Sequence, residues 1–126
     1  MENSLIKTLG IEILEVSDSG VIATMPVDQR TRQPFGILHG GASVALAETA
    51  ASIGAYHFID KDNEICVGLE INANHIKAKS DGVVTAKATL FHRGRSTMVW
   101  DIKIVDEEEE LVCISRCTMS VLKKRS

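Results

Sequence analysis

Several features that define large protein classes are missing from this sequence. Its net charge is −3 over 126 residues, so no excess of basic side chains is available to hold nucleic acid. The first residues, MENSLIKTLG, lack a basic segment followed by a long apolar run, and we expect no signal peptide there. No apolar run approaches the length that crosses a bilayer. These absences predict a cytoplasmic protein whose partners include neither nucleic acid nor a membrane.

Metal and redox sites also lack their usual spacing. The three cysteines form no CxxC pair, and the four histidines have no zinc-ligand spacing with one another or with the cysteines. Cys113 and Cys117 would lie about 13 Å apart on one strand, which is too far for a disulfide. We therefore expect reduced thiols, as in a cytoplasmic protein. The sequence also contains no P-loop, no GxGxxG and no GxSxG turn, which excludes several large enzyme classes.

The order of secondary structure follows from the spacing of apolar residues. Residues 11–17 and 20–27 are rich in strand formers, and a single long helix is predicted from about 41 to 58. A period of two then begins at Ile65, Val67, Leu69, Ile71 and Ala73, and three further strands follow after short turns. The second of these three strands places Met98, Trp100, Ile102 and Ile104 on one face. The acidic run 106–110 is expected to be a solvated hairpin tip.

The fold follows from this order. Short turns between strands indicate an antiparallel meander, and a helix that is apolar on nearly every side must be covered from several directions. Residues 1–126 are thus predicted to form one α+β domain, a curled antiparallel sheet wrapped around one long central helix. Because the remaining strand faces are still apolar, we expect at least a dimer, with the sheets joined edge to edge.

A carboxylate in the helix and a glycine pair at its start are the candidate site. Glu48 is surrounded by alanine, leucine and valine, and no basic residue lies within one turn of it. A solvated glutamate is the ordinary alternative, but such surroundings favour a functional acid. Gly40 and Gly41 could simply form a tight turn. A glycine N–H at a helix start is, however, also open to a substrate carbonyl and carries partial positive charge, which suits an oxyanion.

The spacing of these two groups has a consequence for assembly. Eight residues separate Gly40 from Glu48, which is about 12 Å along a helix and too far for both to reach one carbon atom. Two antiparallel helices in a two-fold dimer would instead bring Gly40 of one subunit opposite Glu48 of the partner subunit. Gln33 could donate its amide N–H to the same carbonyl, or make an ordinary loop hydrogen bond. Ser52 could orient a water or the carboxylate, or bond to the backbone four residues earlier.

The sequence resembles the hotdog-fold thioesterases. The resemblance lies in QPFGILHGG, in the following ALAE, in GLEINANH at 68–75 and in GRST at 94–97, and it covers nearly the whole chain. Within that family the chain is most similar to acyl-CoA thioesterases with a catalytic glutamate. These include bacterial enzymes for 1,4-dihydroxy-2-naphthoyl-CoA in menaquinone synthesis and paralogues that clear misacylated aryl carrier proteins. Such members are homodimers that often pair into homotetramers. No metal or redox cofactor is implied.

The resemblance also implies roles for individual residues. Glu48 would be the nucleophile or general base, Gly40 and Gln33 would polarise the thioester carbonyl, and His39 and Ser52 would support the site. The implied substrate-binding residues are His75, Gly68, Arg93, Arg95, Ser96 and Thr97. The two arginines could hold the phosphates of coenzyme A, although a charged hairpin turn is the commoner meaning of such a stretch. We expect the chain to begin close to its first strand and to lack the longer leader helix of some relatives.

The sequence therefore predicts a hydrolase acting on an acyl-CoA, such as 1,4-dihydroxy-2-naphthoyl-CoA. One alternative is a proofreading thioesterase for acyl or aryl carrier proteins. A second is an acyl-CoA binding module without catalysis, which would need a DNA-binding segment for which no room is found. A third is a hotdog dehydratase, which needs a histidine paired with an acid, an arrangement that His39 and Glu48 do not fit. The acyl group, and the choice between coenzyme A and a carrier protein, stay open.

Overall fold

The structure is a computed structural model and describes residues 3–125. Two helices and six strands follow one another along the chain: α1 (Leu5–Leu9), β1 (Glu12–Ser17), β2 (Gly20–Pro26), α2 (Gly40–Phe58), β3 (Glu64–His75), β4 (Val83–Arg93), β5 (Thr97–Val105) and β6 (Leu111–Lys123). The predicted architecture is confirmed, because α2 contacts all six strands of a single antiparallel sheet. The short helix α1 was not predicted. Its five residues are capped by Ser4 at one end and by Gly10, at φ 75°, at the other.

The strand order corrects the predicted meander. The order in the sheet is β1-β2-β4-β5-β6-β3, so β3 pairs with β6 and lies at an edge instead of beside β4. The connection 76–82 must therefore pass the ends of β6 and β5 to reach β4. Three strand spacings amount to about 14 Å, and seven extended residues reach about 23 Å. A short connection thus does not require two strands to be neighbours.

The core lies between α2 and the concave face of the sheet. Small helix residues allow the close approach, and those that are fully buried are Ala47, Ala50, Ala51 and Ala55, beside the larger Leu46. The predicted face of β5 is confirmed, since Met98, Trp100, Ile102 and Ile104 are all completely buried. Gly54 is needed where α2 crosses this face, because a methyl group there would overlap the indole ring of Trp100.

A β-bulge in β3 corrects the predicted alternation. The register with β6 shifts between Gly68 and Glu70, so Leu69 is an extra residue. Before the bulge, Ile65 and Val67 are 43% and 45% exposed and face away from the core, whereas Ile71 and Ala73 pack against it. The five residues with a period of two therefore do not share one face.

The acidic run also departs from its prediction as a solvated tip. Glu107, Glu108, Glu109 and Glu110 are exposed, but Asp106 is only 5% exposed. Its Oδ1 atom accepts hydrogen bonds from the backbone N–H groups of Glu108 and Glu110, at 2.8 and 3.0 Å. The turn is therefore built around a buried carboxylate.

Candidate active site

Glu48 lies in the middle of α2, on the wall of a cavity of about 510 Å³, which we call the Glu48 cavity. The side chain is half-buried, and within residues 3–125 its carboxylate forms neither an ion pair nor a hydrogen bond. The lining is largely apolar and comes from α1, α2 and β3: Leu5, Ile6, Ala45, Glu48, Thr49, Ser52, Ile53, Tyr56 and Cys66. A carboxylate without a partner on an apolar wall is suited to act as a base or nucleophile.

Gly68 fixes the position of this carboxylate. It lies at the bulge of β3, opposite Met119 of β6, and on the side that faces α2 a methyl group built on it would overlap Oε2 of Glu48. The φ of Gly68 is not positive, so its lack of a side chain serves the close approach of Glu48 instead of an unusual backbone conformation. The sequence analysis assigned Gly68 to substrate binding, whereas the structure brings it against the candidate catalytic group.

Ser52 shares the Glu48 cavity, one helical turn further on. Its Oγ lies 3.9 Å from Sδ of Met119, and the alternative of a hydrogen bond to the backbone four residues earlier is not what the structure has. The hydroxyl can therefore turn towards a molecule in the cavity, because a thioether sulfur is a weak acceptor.

The cysteine thiols near Glu48 are poor nucleophiles. Burial, followed by the charges of Glu48 and Glu70, raises the pKa of the Cys117 thiol to about 12. Burial also raises the pKa of Cys66, which lines the cavity itself. Since the thiolate is the reactive form, neither Cys66 nor Cys117 is suited to act as the nucleophile beside Glu48.

Gly40 lies on a second cavity, of about 310 Å³, which we call the Gly40 cavity. Among the described residues its N–H donates to no acceptor. The ring of His75, at the end of β3, lies so close that a methyl group on Gly40 would be 2.8 Å from Nε2. The lining combines the loop before α2 with the segment after β3: Gln33, Ile37, Leu38, Gly40, Ser43, His75, Ile76, Lys77, Ala78 and Val112.

Gln33 lines the Gly40 cavity and is held at both its side chain and its backbone. Its side-chain Oε1 accepts a hydrogen bond from the backbone N–H of Phe35, and its backbone N–H donates to the carbonyl of Ile37 at 2.8 Å. Within residues 3–125 its Nε2 group finds no acceptor. Gln33 and Gly40 thus present two N–H donors to one cavity, which is the arrangement that stabilises an oxyanion.

His39 precedes Gly40 in the sequence, but its side chain caps α2 and does not line the Gly40 cavity. It is the N-cap of α2, and its Nδ1 accepts the N–H of Gly41 at 2.7 Å. It lines a third cavity, beside Leu5 and Ala45, and not the Gly40 cavity. By satisfying Gly41, His39 leaves Gly40 as the glycine with the open N–H. Its contact with the site is therefore indirect.

The two halves of the candidate site do not meet within one chain. No residue lines both the Glu48 cavity and the Gly40 cavity, and the eight residues of helix between Gly40 and Glu48 span about 12 Å. Gln33, Gly40 and His75 are brought together in one cavity, and Glu48, Ser52 and Gly68 around the other.

The stretch HRGRST forms the hairpin between β4 and β5. Arg93 and Arg95 are exposed and line neither cavity, and the turn is closed by the Gly94 N–H donating to the Thr97 carbonyl at 2.8 Å. The Ser96 carbonyl accepts from the backbone N–H of Val121 at 2.8 Å. Across the strands, Gly68, Met119, Met98 and Arg93 occupy one row. The hairpin therefore begins about 14 Å from the glycine that touches Glu48.

Several lining residues escaped the sequence analysis. Thr49, Ile53 and Tyr56 lie one, five and eight positions after Glu48, on the same face of α2, and helical periodicity could have found them. No local signal could have placed Leu5 and Ile6 there, because α1 reaches the cavity only through the tertiary fold. In the part of the chain described here, no group of three or more His, Cys, Asp or Glu residues is placed to hold a metal ion. Likewise, none of its helices is long and apolar enough to cross a membrane.

Comparison with known proteins gives one consistent result. Residues 35–113 match the family described as Thioesterase superfamily. The chain is 59% identical to ComA2 of Bacillus subtilis over 98% of both chains. It is 56% identical to the 1,4-dihydroxy-2-naphthoyl-CoA hydrolase of Listeria monocytogenes, over 94% of this chain and 96% of that one. A crystal structure of a mutant of thioesterase PA1618 from Pseudomonas aeruginosa, 46% identical, superposes with a TM-score of 0.95 over 98% of this chain and 88% of that one.

Proposed function

Because this chain belongs to the thioesterase superfamily, has the hotdog fold and is a thioester hydrolase, we propose that it hydrolyses an aryl-CoA such as 1,4-dihydroxy-2-naphthoyl-CoA. The observation that carries the proposal is the unpaired carboxylate of Glu48 on a largely apolar cavity of about 510 Å³, a size typical of small-molecule sites. The name of the Listeria relative supports this acyl group and, with it, a place in menaquinone synthesis.

The active site is proposed to form between two subunits. Glu48 and Gly40 lie on cavities that share no lining residue. An antiparallel pairing of two α2 helices around a two-fold axis would place Gly40 of one subunit opposite Glu48 of the partner subunit, and would do so twice. Each dimer would then contain two complete sites.

The edge strand β3 is the surface that we propose for this pairing. It is twelve residues long and has a partner on one side only. Ile65, Val67 and Leu69 are exposed along it, the last at 63%. A long edge strand with exposed apolar side chains is a site of strand pairing with a second chain. Two such dimers would associate further into the tetramer that the sequence analysis expects.

The chemical steps follow from the two halves. Glu48 removes a proton from water, and the resulting hydroxide attacks the thioester carbonyl carbon. The negative charge that develops on the carbonyl oxygen is stabilised by the N–H of Gly40 and the amide of Gln33. Collapse of the tetrahedral intermediate breaks the carbon–sulfur bond and releases the acid and the thiolate of coenzyme A, which regains its proton from Glu48.

A covalent route is the other form of this mechanism. Glu48 would attack the carbonyl carbon itself, and water would then hydrolyse the mixed anhydride. A single turnover in H₂¹⁸O can identify the covalent route. Attack of water on the Glu48 carbonyl of the anhydride leaves ¹⁸O in the Glu48 carboxylate, which the general-base route never labels, whereas attack on the acyl carbonyl places ¹⁸O in the released acid, as the general-base route does.

The remaining predicted residues receive supporting roles in this proposal. His39 caps α2 and so keeps the N–H of Gly40 directed at the substrate, and His75 forms the wall opposite Gly40. Arg93 and Arg95, with Ser96 and Thr97, would hold the phosphates of coenzyme A outside the two cavities, about 14 Å from Gly68, because guanidinium groups bind phosphate oxygens in pairs. The three free thiols fit the reducing cytoplasm, in which acyl-CoA esters occur.

The first test is thiol release from a panel of acyl-CoAs by the parent and by Glu48→Ala. Benzoyl-CoA and hydroxynaphthoyl-CoA are compared with short and long aliphatic esters. We expect aryl esters to be the best substrates, and Glu48→Ala to lower turnover at least about a hundredfold. Release that persists in the variant would refute the role of Glu48. Release only from acyl groups on a carrier protein would favour the proofreading alternative.

A mixing experiment tests the shared site. Glu48→Ala and Gln33→Ala chains are unfolded together and refolded as mixed dimers. Each mixed dimer contains one site with both residues intact, so random pairing restores about a quarter of the parent's sites. If the mixture is no more active than the two variants measured separately, the site does not lie between subunits.

A further inference from the structure

The segment 76–82, which crosses from β3 to β4, forms one wall of the Gly40 cavity. Ile76, Lys77 and Ala78 line that cavity next to His75. The segment is held to β6 only by two N–H groups, those of Ile76 and Lys77, which share the carbonyl of Val112 at 2.8 and 3.3 Å. Because it lies outside the sheet ladder, its position depends on other contacts.

Those contacts come from the acidic turn 106–110. Nζ of Lys77 lies 2.8 Å from Oδ2 of Asp106 and 2.7 Å from Oε1 of Glu110. Nζ of Lys79 lies 2.6 Å from Oε1 of Glu107, and Oε2 of the same carboxylate accepts the N–H of Val83 at 2.9 Å. The acidic turn thus binds the segment 76–82, called the crossing segment below, through Lys77 near its start and through Lys79 and Val83 near its end.

The opposite side of the segment bonds to the loop that carries the oxyanion donors. The carbonyl of Lys79 accepts the N–H of Leu38 at 2.7 Å, and the carbonyl of Ser80 accepts Nε of Arg32 at 2.9 Å. Leu38 is two residues from Gly40, and Arg32 precedes Gln33. A displacement of the crossing segment would therefore be transmitted to both donors.

The geometry of the acidic turn gives the pair of Lys77 and Asp106 a positioning role beside any contribution to stability. Ion pairs of partly exposed lysines contribute little to stability. Asp106 is different, because its carboxylate is buried and its Oδ1 is already fixed by two backbone N–H groups. Because the Asp106 carboxylate is fixed, it holds the Lys77 ammonium in one position. The wall of the Gly40 cavity to which Lys77 belongs is thereby held in place as well.

We propose that the acidic turn positions the two oxyanion donors, Gly40 and Gln33. The positioning residue is Lys77, whose ammonium is held by Asp106 and Glu110. This inference rests on the proposed function, since it concerns donors that act on the thioester carbonyl. Lys77 acts through the crossing segment and does not touch the reacting atoms. Loss of the ion pairs of Lys77 should lower kcat. KM should stay nearly unchanged, because Lys77 does not line the Glu48 cavity.

The test compares two lysines that pair with the same turn. Lys77→Met removes the grip, Lys77→Arg keeps a cation in its place, and Lys87→Met is the matched control. Lys87 pairs with Glu109 and is 43% exposed, against 40% for Lys77, but it lines neither cavity. Steady-state thiol release and the ¹H–¹⁵N signal of the Gly40 amide are measured for all three variants.

We expect Lys77→Met to lower kcat about tenfold with KM within about twofold, as a small misplacement of donors would. Lys77→Arg should recover most of the loss, and Lys87→Met should match the parent. The Gly40 amide signal should shift in Lys77→Met and stay in place in Lys87→Met. If Lys77→Met fails to fold, Glu110→Gln is measured in its place. It removes the more exposed of the two carboxylates that pair with Lys77, and it should lower kcat and shift the Gly40 signal by a smaller amount.

Two outcomes separate the inference from the function on which it rests. Equal kcat values and equal Gly40 signals in Lys77→Met and Lys87→Met would overturn the positioning role. If thiol release proves independent of Glu48, the proposed function fails, and the Gly40 signal alone then decides whether the acidic turn positions that N–H.

Discussion

Substitution of Gly68 by alanine tests how the carboxylate of Glu48 is positioned. Gly68 faces α2, and the added methyl group would overlap Oε2 of Glu48. The backbone of Gly68 lies outside the left-handed region, so alanine fits the strand without strain. The clash involves only the end of a flexible side chain. We therefore expect the fold to survive and the carboxylate to move.

The size of the effect follows from this contact. Oε2 must retreat by about 1 Å or more to reach van der Waals distance from the new carbon. A misplacement of that size in a reacting group costs about a hundredfold in rate, or about 2.7 kcal/mol of transition-state stabilisation. The free energy of unfolding should change by less than about 1 kcal/mol, because alanine loses less backbone freedom than glycine on folding.

A double-mutant cycle with Glu48→Asp identifies the cause. Aspartate is one methylene shorter, so its carboxylate leaves room for the methyl group at position 68. Gly68→Ala should then cost no more than about threefold in kcat when added to Glu48→Asp, compared with about a hundredfold in the parent. Thiol release from the best aryl-CoA gives kcat for all four proteins, and urea unfolding confirms that each is folded.

Two results would refute this reasoning. A kcat of Gly68→Ala within about threefold of the parent would mean that the position of the carboxylate is not critical. Losses that simply multiply in the double variant would mean that Gly68 acts through something other than Glu48.

Three further predictions concern stability. Gly54→Ala should lower the free energy of unfolding by about 1–3 kcal/mol, because its methyl group would overlap the buried ring of Trp100; an unchanged midpoint in urea unfolding would contradict this packing. The hydrogen-bonded ammonium of Lys77 lowers the pKa of Asp106 to about 2, from 3.8. The stability from this carboxylate is present above about pH 4 and is lost as the pH falls towards 2. Asp106→Asn should therefore flatten the decline in stability over that range, and parallel declines in both proteins would count against it. Glu109 has a φ of 64°, which is unfavourable for any residue except glycine, so Glu109→Gly should raise the free energy of unfolding by about 0.5–1 kcal/mol. Thermal unfolding measures this change, and a lower midpoint would argue against strain at that position.

The parts of the fold that local periodicity determines could be predicted from the sequence. The buried face of Met98 and Trp100 in β5 was predicted correctly, and α2 began one residue earlier than expected. The position of β3 beside β6 could not be predicted, because strand pairing is a long-range choice that a short connection does not fix. The bulge at Leu69 was missed for the same reason, since the residues around it continue the same pattern of apolar and polar residues.

The candidate site also contains residues that the sequence could identify and residues that it could not. Glu48 and Gly40 could be found because each has an unusual sequence environment, and their spacing shows that one chain cannot join them. The burial of Asp106 was missed, because a carboxylate in a run of acids carries no local sign that it is buried. The separation of His39 from the Gly40 cavity was missed as well. It depends on the side to which the ring turns as it caps the helix, which the sequence does not encode locally.

The bulge in β3 constrains the length of this strand. Gly68 and His75 both face α2 although seven positions separate them, and an odd separation would normally put them on opposite faces. Deletion of Leu69 would make the strand regular, and would thereby turn either the glycine beside Glu48 or the histidine beside Gly40 to the outside. No substitution elsewhere on the strand could compensate. The length of this segment is therefore constrained more tightly than the identity of most of its residues, and we expect libraries of variants to retain point substitutions here and to lose single-residue insertions and deletions.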